Sequence, residues 1–137
     1  MLIELIEIGH RLPGRPLLAL VRTPFGEITA AWRGDPAAEP GDYHVEWTID
    51  EELDWGRNAE PARPPGPERG PEVRAGEHGV VSLRGWLDVE EDGGLTFRLG
   101  GSLVLLEAAG PLPAGVVPGW VRVWFERERV ELFPYGV

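Results

Sequence analysis

The sequence predicts an all-β protein with at most short helical turns. Apolar residues alternate with polar ones in two long runs, Tyr43–Asp50 and Val80–Glu90. Short apolar runs elsewhere are separated by Gly and Pro turns, the pattern of β-hairpins. The proline-rich connections between them carry no helical period. At 137 residues the chain fits one domain, able to bury roughly two-thirds of its unfolded surface.

Taken in order, Leu2–Ile8 is apolar at Leu2, Ile3, Leu5, Ile6 and Ile8 and is expected to be a strand ended by Gly9 and Pro13-Gly14. Leu17–Arg22 and Ile28–Trp32 flank Thr23-Pro24-Phe25-Gly26 and read as a hairpin. In the next strand Tyr43, Val45, Trp47 and Ile49 share one face, while His44, Glu46 and Thr48 share the other. Asp50 is placed to cap a short helical turn, with Glu51 and Glu52 at its positive end and Leu53 and Trp55 folding it back on the sheet. These strands make an N-terminal meander, residues 1–58. Residues 59–78 read as a Pro/Gly-rich surface loop, because Pro61, Pro64, Pro65, Pro67 and Pro71 interrupt ladder pairing.

The second half, 79–137, starts with a long strand in which Gly85 marks a bend that would let it serve two sheets. Glu91-Asp92-Gly93-Gly94 turns into Leu95–Leu99, and Gly100-Gly101 turns into Leu103–Glu107. The latter is apolar on both sides and is expected to be a central strand. A proline-rich connection, 110–118, leads to Trp120–Phe125, the tip Glu126-Arg127-Glu128, and Arg129–Phe133 as a closing hairpin. A long kinked strand, a meander, a connection and a closing hairpin over residues 79–134 resemble the OB-fold, a five-stranded barrel. The resemblance implies an OB-like barrel in the C-terminal half with the N-terminal β-meander packed on it. The missing helix in the connection departs from that pattern.

The formal charge is −10, and all 13 basic residues are arginine, as in a GC-rich bacterial coding bias. Such a charge repels phosphate polyanions and anionic lipid and suits a basic protein partner. The absence of cysteine removes disulfides, cysteine nucleophiles and thiolate metal sites. The start, Met1-Leu2-Ile3-Glu4-Leu5-Ile6-Glu7, lacks the basic then apolar pattern of a signal peptide, and no apolar run reaches the roughly 20 residues that span a bilayer, so a cytoplasmic location is expected.

Two groups of residues could carry function. Glu46, Asp50, Glu51, Glu52 and Asp54 form an acidic group fit for a basic protein surface. Arg84, Trp86, Arg98, Trp120, Arg122 and Trp124 interleave guanidinium groups with rings, as single-strand nucleic-acid binders do, and the OB resemblance implies an oligonucleotide or oligosaccharide ligand there. The competing reading buries that face under residues 1–58. Asp88–Gly93 mimics a calcium loop, but its twelfth position is Leu99 rather than Glu. His44 and Glu46 share a strand face without a third ligand, Ser82 and Ser102 lack a nucleophile elbow, and the absence of lysine excludes a phosphate-binding Gly-Lys loop. No metal, cofactor or catalytic residue is assigned. The expected function is a non-enzymatic acidic binding module, inhibitor- or immunity-like, for a basic protein. The alternatives are an OB-type nucleic-acid or oligosaccharide binder and a hydrolase with a dispersed carboxylate site. A homo-oligomer that closes open sheet edges is also compatible with the sequence.

Overall fold

The computed structural model describes residues 1–63 and 69–135, so part of the predicted 59–78 loop lies outside the described residues. The strands are β1 (Leu2–Ile8), β2 (Leu18–Thr23), β3 (Gly26–Trp32), β4 (Gly41–Ile49), β5 (Ala59–Pro61), β6 (Glu72–Ala75), β7 (Val80–Val89), β8 (Leu95–Leu99), β9 (Ser102–Leu106), β10 (Gly119–Glu126) and β11 (Val130–Tyr135). Helical structure among the described residues is confined to single 3-10 turns such as Glu77–Gly79 and Arg127–Arg129, and no helix is long and apolar enough to cross a membrane. The protein is all-β and contains a closed five-stranded barrel, in keeping with the OB-like resemblance.

The barrel's strands are not those the sequence suggested. It closes in the order β1-β2-β3-β11-β4, from residues 2–49 plus the last strand, while β5-β10-β7-β8-β9 form a second sheet with β6 on β7. The predicted closing hairpin of β10 and β11 does not form. Its tip, Glu126-Arg127-Glu128, has none of the Gly, Asn or Asp residues that tight hairpins use, and the Arg127–Arg129 turn carries the chain away instead. Asp50 N–H donates to the Arg129 carbonyl at 2.8 Å, and β11 then runs antiparallel to β4 from Val130↔Ile49 to Tyr135↔His44. On its other side β11 lies parallel to β3 at Glu131↔Ala31 and Leu132↔Trp32, where the largely buried Glu131 is ion-paired with Arg33.

A matching exchange runs the other way. The chain leaving β4 crosses to the second sheet, where Leu53 forms a parallel bridge with Ala108 just beyond β9 and Ala59–Pro61 pairs with Val121–Val123 of β10. The predicted Asp50-capped turn is therefore absent, because the backbone of Leu53 is committed to Glu107 and Ala109. The predicted loop is likewise interrupted by β5 and β6. Leu53, bridged to Ala108 just beyond β9, takes the place in the second sheet that Leu132 takes beside β3 in the barrel, and both leucines are fully buried.

This correspondence extends through the core. Ile3 and Val81, Leu5 and Leu83, Leu17 and Leu95, Ala19 and Phe97, Val21 and Leu99, Val45 and Val123, and Trp47 and Phe125 are all buried, each pair 78 positions apart. The chain is thus a repeated four-strand unit whose two copies trade their fifth strands. One contiguous apolar core joins both copies.

Gly85 sits where β7 changes neighbours, from β6 at Val81–Arg84 to β8 at Trp86–Val89. A Cβ there would lie 2.3 Å from the Arg98 carbonyl oxygen, so this position requires glycine for close approach, although β7 stays in one sheet rather than serving two as the sequence suggested. β4 alternates as predicted, with Val45 and Trp47 buried and His44, Glu46 and Thr48 exposed.

Candidate functional site

The segment after β4 is folded around Asn58, which is 2 % exposed. Its amide nitrogen donates to Glu51 Oε2 at 3.1 Å and to the Glu52 carbonyl at 2.9 Å, and its amide oxygen accepts from the Asp54 N–H at 2.8 Å. Arg57 adds contacts to Asp54 Oδ2 at 3.1 Å and Glu51 Oε2 at 3.3 Å, and these carboxylates hold its guanidinium more firmly in the charged form, the Asp54 hydrogen bond first. Sequence reasoning missed Asn58. The available signal was an amide beside Gly56-Arg57 in a turn, a position where Asn commonly bonds nearby backbone.

This loop forms one wall of an open groove of about 870 Å³, with the end of β9 forming the other. Asp50, Glu51, Glu52 and Asp54 line it together with Glu107 and Glu126, against the two cations Arg57 and Arg129. The acidic group predicted from sequence therefore comes together apart from Glu46, and it gains two carboxylates from the other repeat. Arg129 bonds the Asp50 carbonyl at 3.1 Å and its carboxylate at 3.4 Å, so Asp50 is partly neutralised. Glu46 lies in an adjoining groove of about 720 Å³ beside Trp47, Leu103, Leu105 and Tyr135; the two grooves share Thr48 and Leu105.

The Arg/Trp group is assembled but mostly satisfied within the chain. Arg84 is fully buried, donates to the Gly70 carbonyl at 2.7 Å and lies 4.8 Å from the Trp120 ring centroid. Trp86 and Trp120 meet edge to face with centroids 6.3 Å apart, and both, like Trp124, are half-buried. Arg122 donates to Ser82 Oγ at 2.9 Å and Glu72 Oε2 at 3.1 Å. Arg98 is exposed and lies 3.5 Å from Asp88. Among the described residues the side-chain hydrogen bonds that reach this face from outside β7 and β10 come from Gly70 and Glu72 rather than from the N-terminal meander, because β6 docks beside β7.

Glu72 holds this cover in place. Burial raises its carboxyl pKa, but the Arg122 hydrogen bond and the charges of Arg69 and Arg122 outweigh burial and set it below the ordinary 4.5. A depressed carboxyl contributes stability that is fully present above the unfolded value and is lost as pH falls through the folded one. Glu72→Gln is expected to cost about 1 kcal/mol at pH 7. The gap in urea midpoint between wild type and variant should narrow below pH 4.5 and vanish once the wild-type carboxyl is protonated. A gap of constant size down to pH 2 would show that the charge is not what holds β6.

No group of three or more His, Asp or Glu side chains suited to a metal ion occurs among the described residues. The Asp88–Gly93 segment is a hairpin turn in which Asp92 Oδ1 accepts from the Gly94 N–H at 2.8 Å. No family model, curated protein or solved structure matches the chain.

Proposed function

We propose that the protein is a non-enzymatic binding module that takes a basic surface of another protein into the groove between its two repeats. One observation carries this reading: among the described residues six carboxylates from the two repeats converge on a groove that holds two cations, in a chain of net charge −10. Such a field raises the capture rate of a positively charged partner and discriminates against acidic ones. An inhibitor- or immunity-type role fits, since such proteins gain from fast capture of a basic target. The nucleic-acid alternative is less well supported, because five of its six proposed contact residues are buried or half-buried and Arg84 and Arg122 already bond within the chain.

Titration with an octa-arginine peptide tests the proposal. Binding is expected at 50 mM salt and should weaken steeply by 300 mM, as the screening length falls well below 10 Å. Glu52→Gln with Glu107→Gln removes two exposed groove charges that take no part in the loop's own bonds, and should weaken binding about tenfold, or about 1.4 kcal/mol. An affinity indifferent to salt and to both substitutions would remove the electrostatic reading.

A further inference from the structure

β9 does not look like a surface strand. Leu103-Val104-Leu105-Leu106 is apolar on both faces, the composition of a strand with neighbours on each side, yet β9 is the last strand of its sheet. Val104 and Leu106 are buried, whereas Leu103 is 60 % exposed and Leu105 75 %. The sequence expectation of a central strand is thus contradicted, and the reason is that the described residues supply a neighbour only at the far end, where Leu53 bridges Ala108.

The repeat provides an internal control. β3 is the counterpart of β9, and by their pairing with β2 and β8 the positions matching Leu103 and Leu105 are Thr29, half-buried, and Ala31, buried where β3 pairs with β11. The same fold therefore does not require leucine at these places. Natural sheets blunt an edge with charge, proline or a bulge; Ser102–Leu106 has none of these.

The backbone of this edge is also unpaired, although β4 comes close to β9. Leu53 N–H donates to the Glu107 carbonyl at 2.8 Å and the Ala109 N–H donates to the Leu53 carbonyl at 2.9 Å, so the odd-numbered residues turn their polar groups outward. By the two-residue period of a strand, Leu105 and Leu103 present N–H and C=O on that same side. Among the described residues no strand pairs with them there. The two grooves flank this edge and share Leu105.

We infer that β9 is a docking edge, and that an extended basic segment of a partner protein adds to it as a further strand. Main-chain bonds to Leu103 and Leu105 would give affinity, and alternate side chains would fall on the exposed leucines and into the two grooves. The occupant is set by charge. Glu46 stands in one groove and six carboxylates line the other, so arginine or lysine at alternate positions is favoured. A second copy of this chain would bring another charge of −10 to the same place. The inference rests on the proposed basic partner and adds how that partner is held.

The probe is a nine-residue peptide alternating Arg and Val, with three comparators: the Glu-Val counterpart, and the Arg-Val peptide N-methylated at every second residue in each of the two registers. Binding is read by calorimetry and by amide hydrogen exchange. The Arg-Val peptide is expected to bind and to slow exchange at Leu103 and Leu105 at least tenfold, one N-methylated register should bind at least tenfold more weakly, and the Glu-Val peptide should not bind. Leu103→Ser with Leu105→Ser, both at exposed positions, should keep the wild-type urea midpoint and lose at least fivefold in affinity. If both N-methylated peptides bind as tightly as their parent, without protection of β9, strand addition is wrong while the acidic-groove reading stands. If the Arg-Val and Glu-Val peptides bind equally, or neither binds, both readings fall. Concentration-dependent protection of Leu103 and Leu105 in the protein alone would assign the edge to a second copy and overturn the inference.

Discussion

Residues 1–63 and 69–137, produced as separate chains, are expected to be unfolded alone and to form a folded one-to-one complex when mixed. Each fragment holds four strands of one repeat and the fifth strand of the other. The first lacks β11, and with it the buried Val130 and Leu132 and the Glu131 partner of Arg33. The second lacks Leu53 and Ala59, both fully buried against it. Burying one Leu or Val side chain contributes about 1.5–3 kcal/mol. Val130 and Leu132 alone therefore contribute about 3–6 kcal/mol, comparable with the lower part of the 5–15 kcal/mol by which a domain of this kind is stable. Circular dichroism of each fragment, sedimentation of the mixture and a urea transition of the complex check this. A cooperative unfolding transition from monomeric 1–63 would show that the exchanged strand is not needed.

Gly26→Ala is expected to be among the most damaging single substitutions, costing about 4 kcal/mol or preventing folding. The residue has φ of +144°, and an added Cβ would stand 1.8 Å from the Val73 carbonyl oxygen. The neighbouring Val73 N–H donates to the Phe25 carbonyl at 3.0 Å, so neither backbone can retreat without breaking the contact that ties β6 to the barrel. Gly101→Ala is the control, with no positive φ and nothing within 4 Å of the added carbon, and should change stability by less than about 1 kcal/mol. Urea midpoints of the two variants decide it. Near-wild-type stability for Gly26→Ala would mean that β6 is not docked against this turn.

Side-chain periodicity made the strands readable but not their partners. The alternation from Tyr43 to Ile49 states which side of β4 is wet, and the structure agrees. Nothing in that alternation says whether β11 pairs with β10 beside it in sequence or with β4 and β3 across the molecule. The nearest-neighbour choice was the reasonable one, and the Arg127–Arg129 turn defeats it. β5 and β6 escaped notice because Ala59–Pro61 and Glu72–Ala75 are short and carry only one branched apolar side chain, Val73. The duplication was present in the sequence as a constant spacing of core positions around β1, β2 and β4, which β3 and β9 do not share. It was hidden because equivalent core positions differ in size, as with Ala19 and Phe97, so identity fades while burial persists. The acidic group was legible as a local run, but the contributions of Glu107 and Glu126 depend on the crossing of the two repeats.

The traded strands also set a timetable for biosynthesis. β11 leaves the ribosome about 80 residues after β4, a delay of roughly 4–16 s at 5–20 residues per second. Until then the first four strands have no means of shutting into a cylinder, and the facing borders of β3 and β4 stay raw. The newborn chain is consequently most prone to sticking in the interval between its two halves, and holdase chaperones would find their main substrate there.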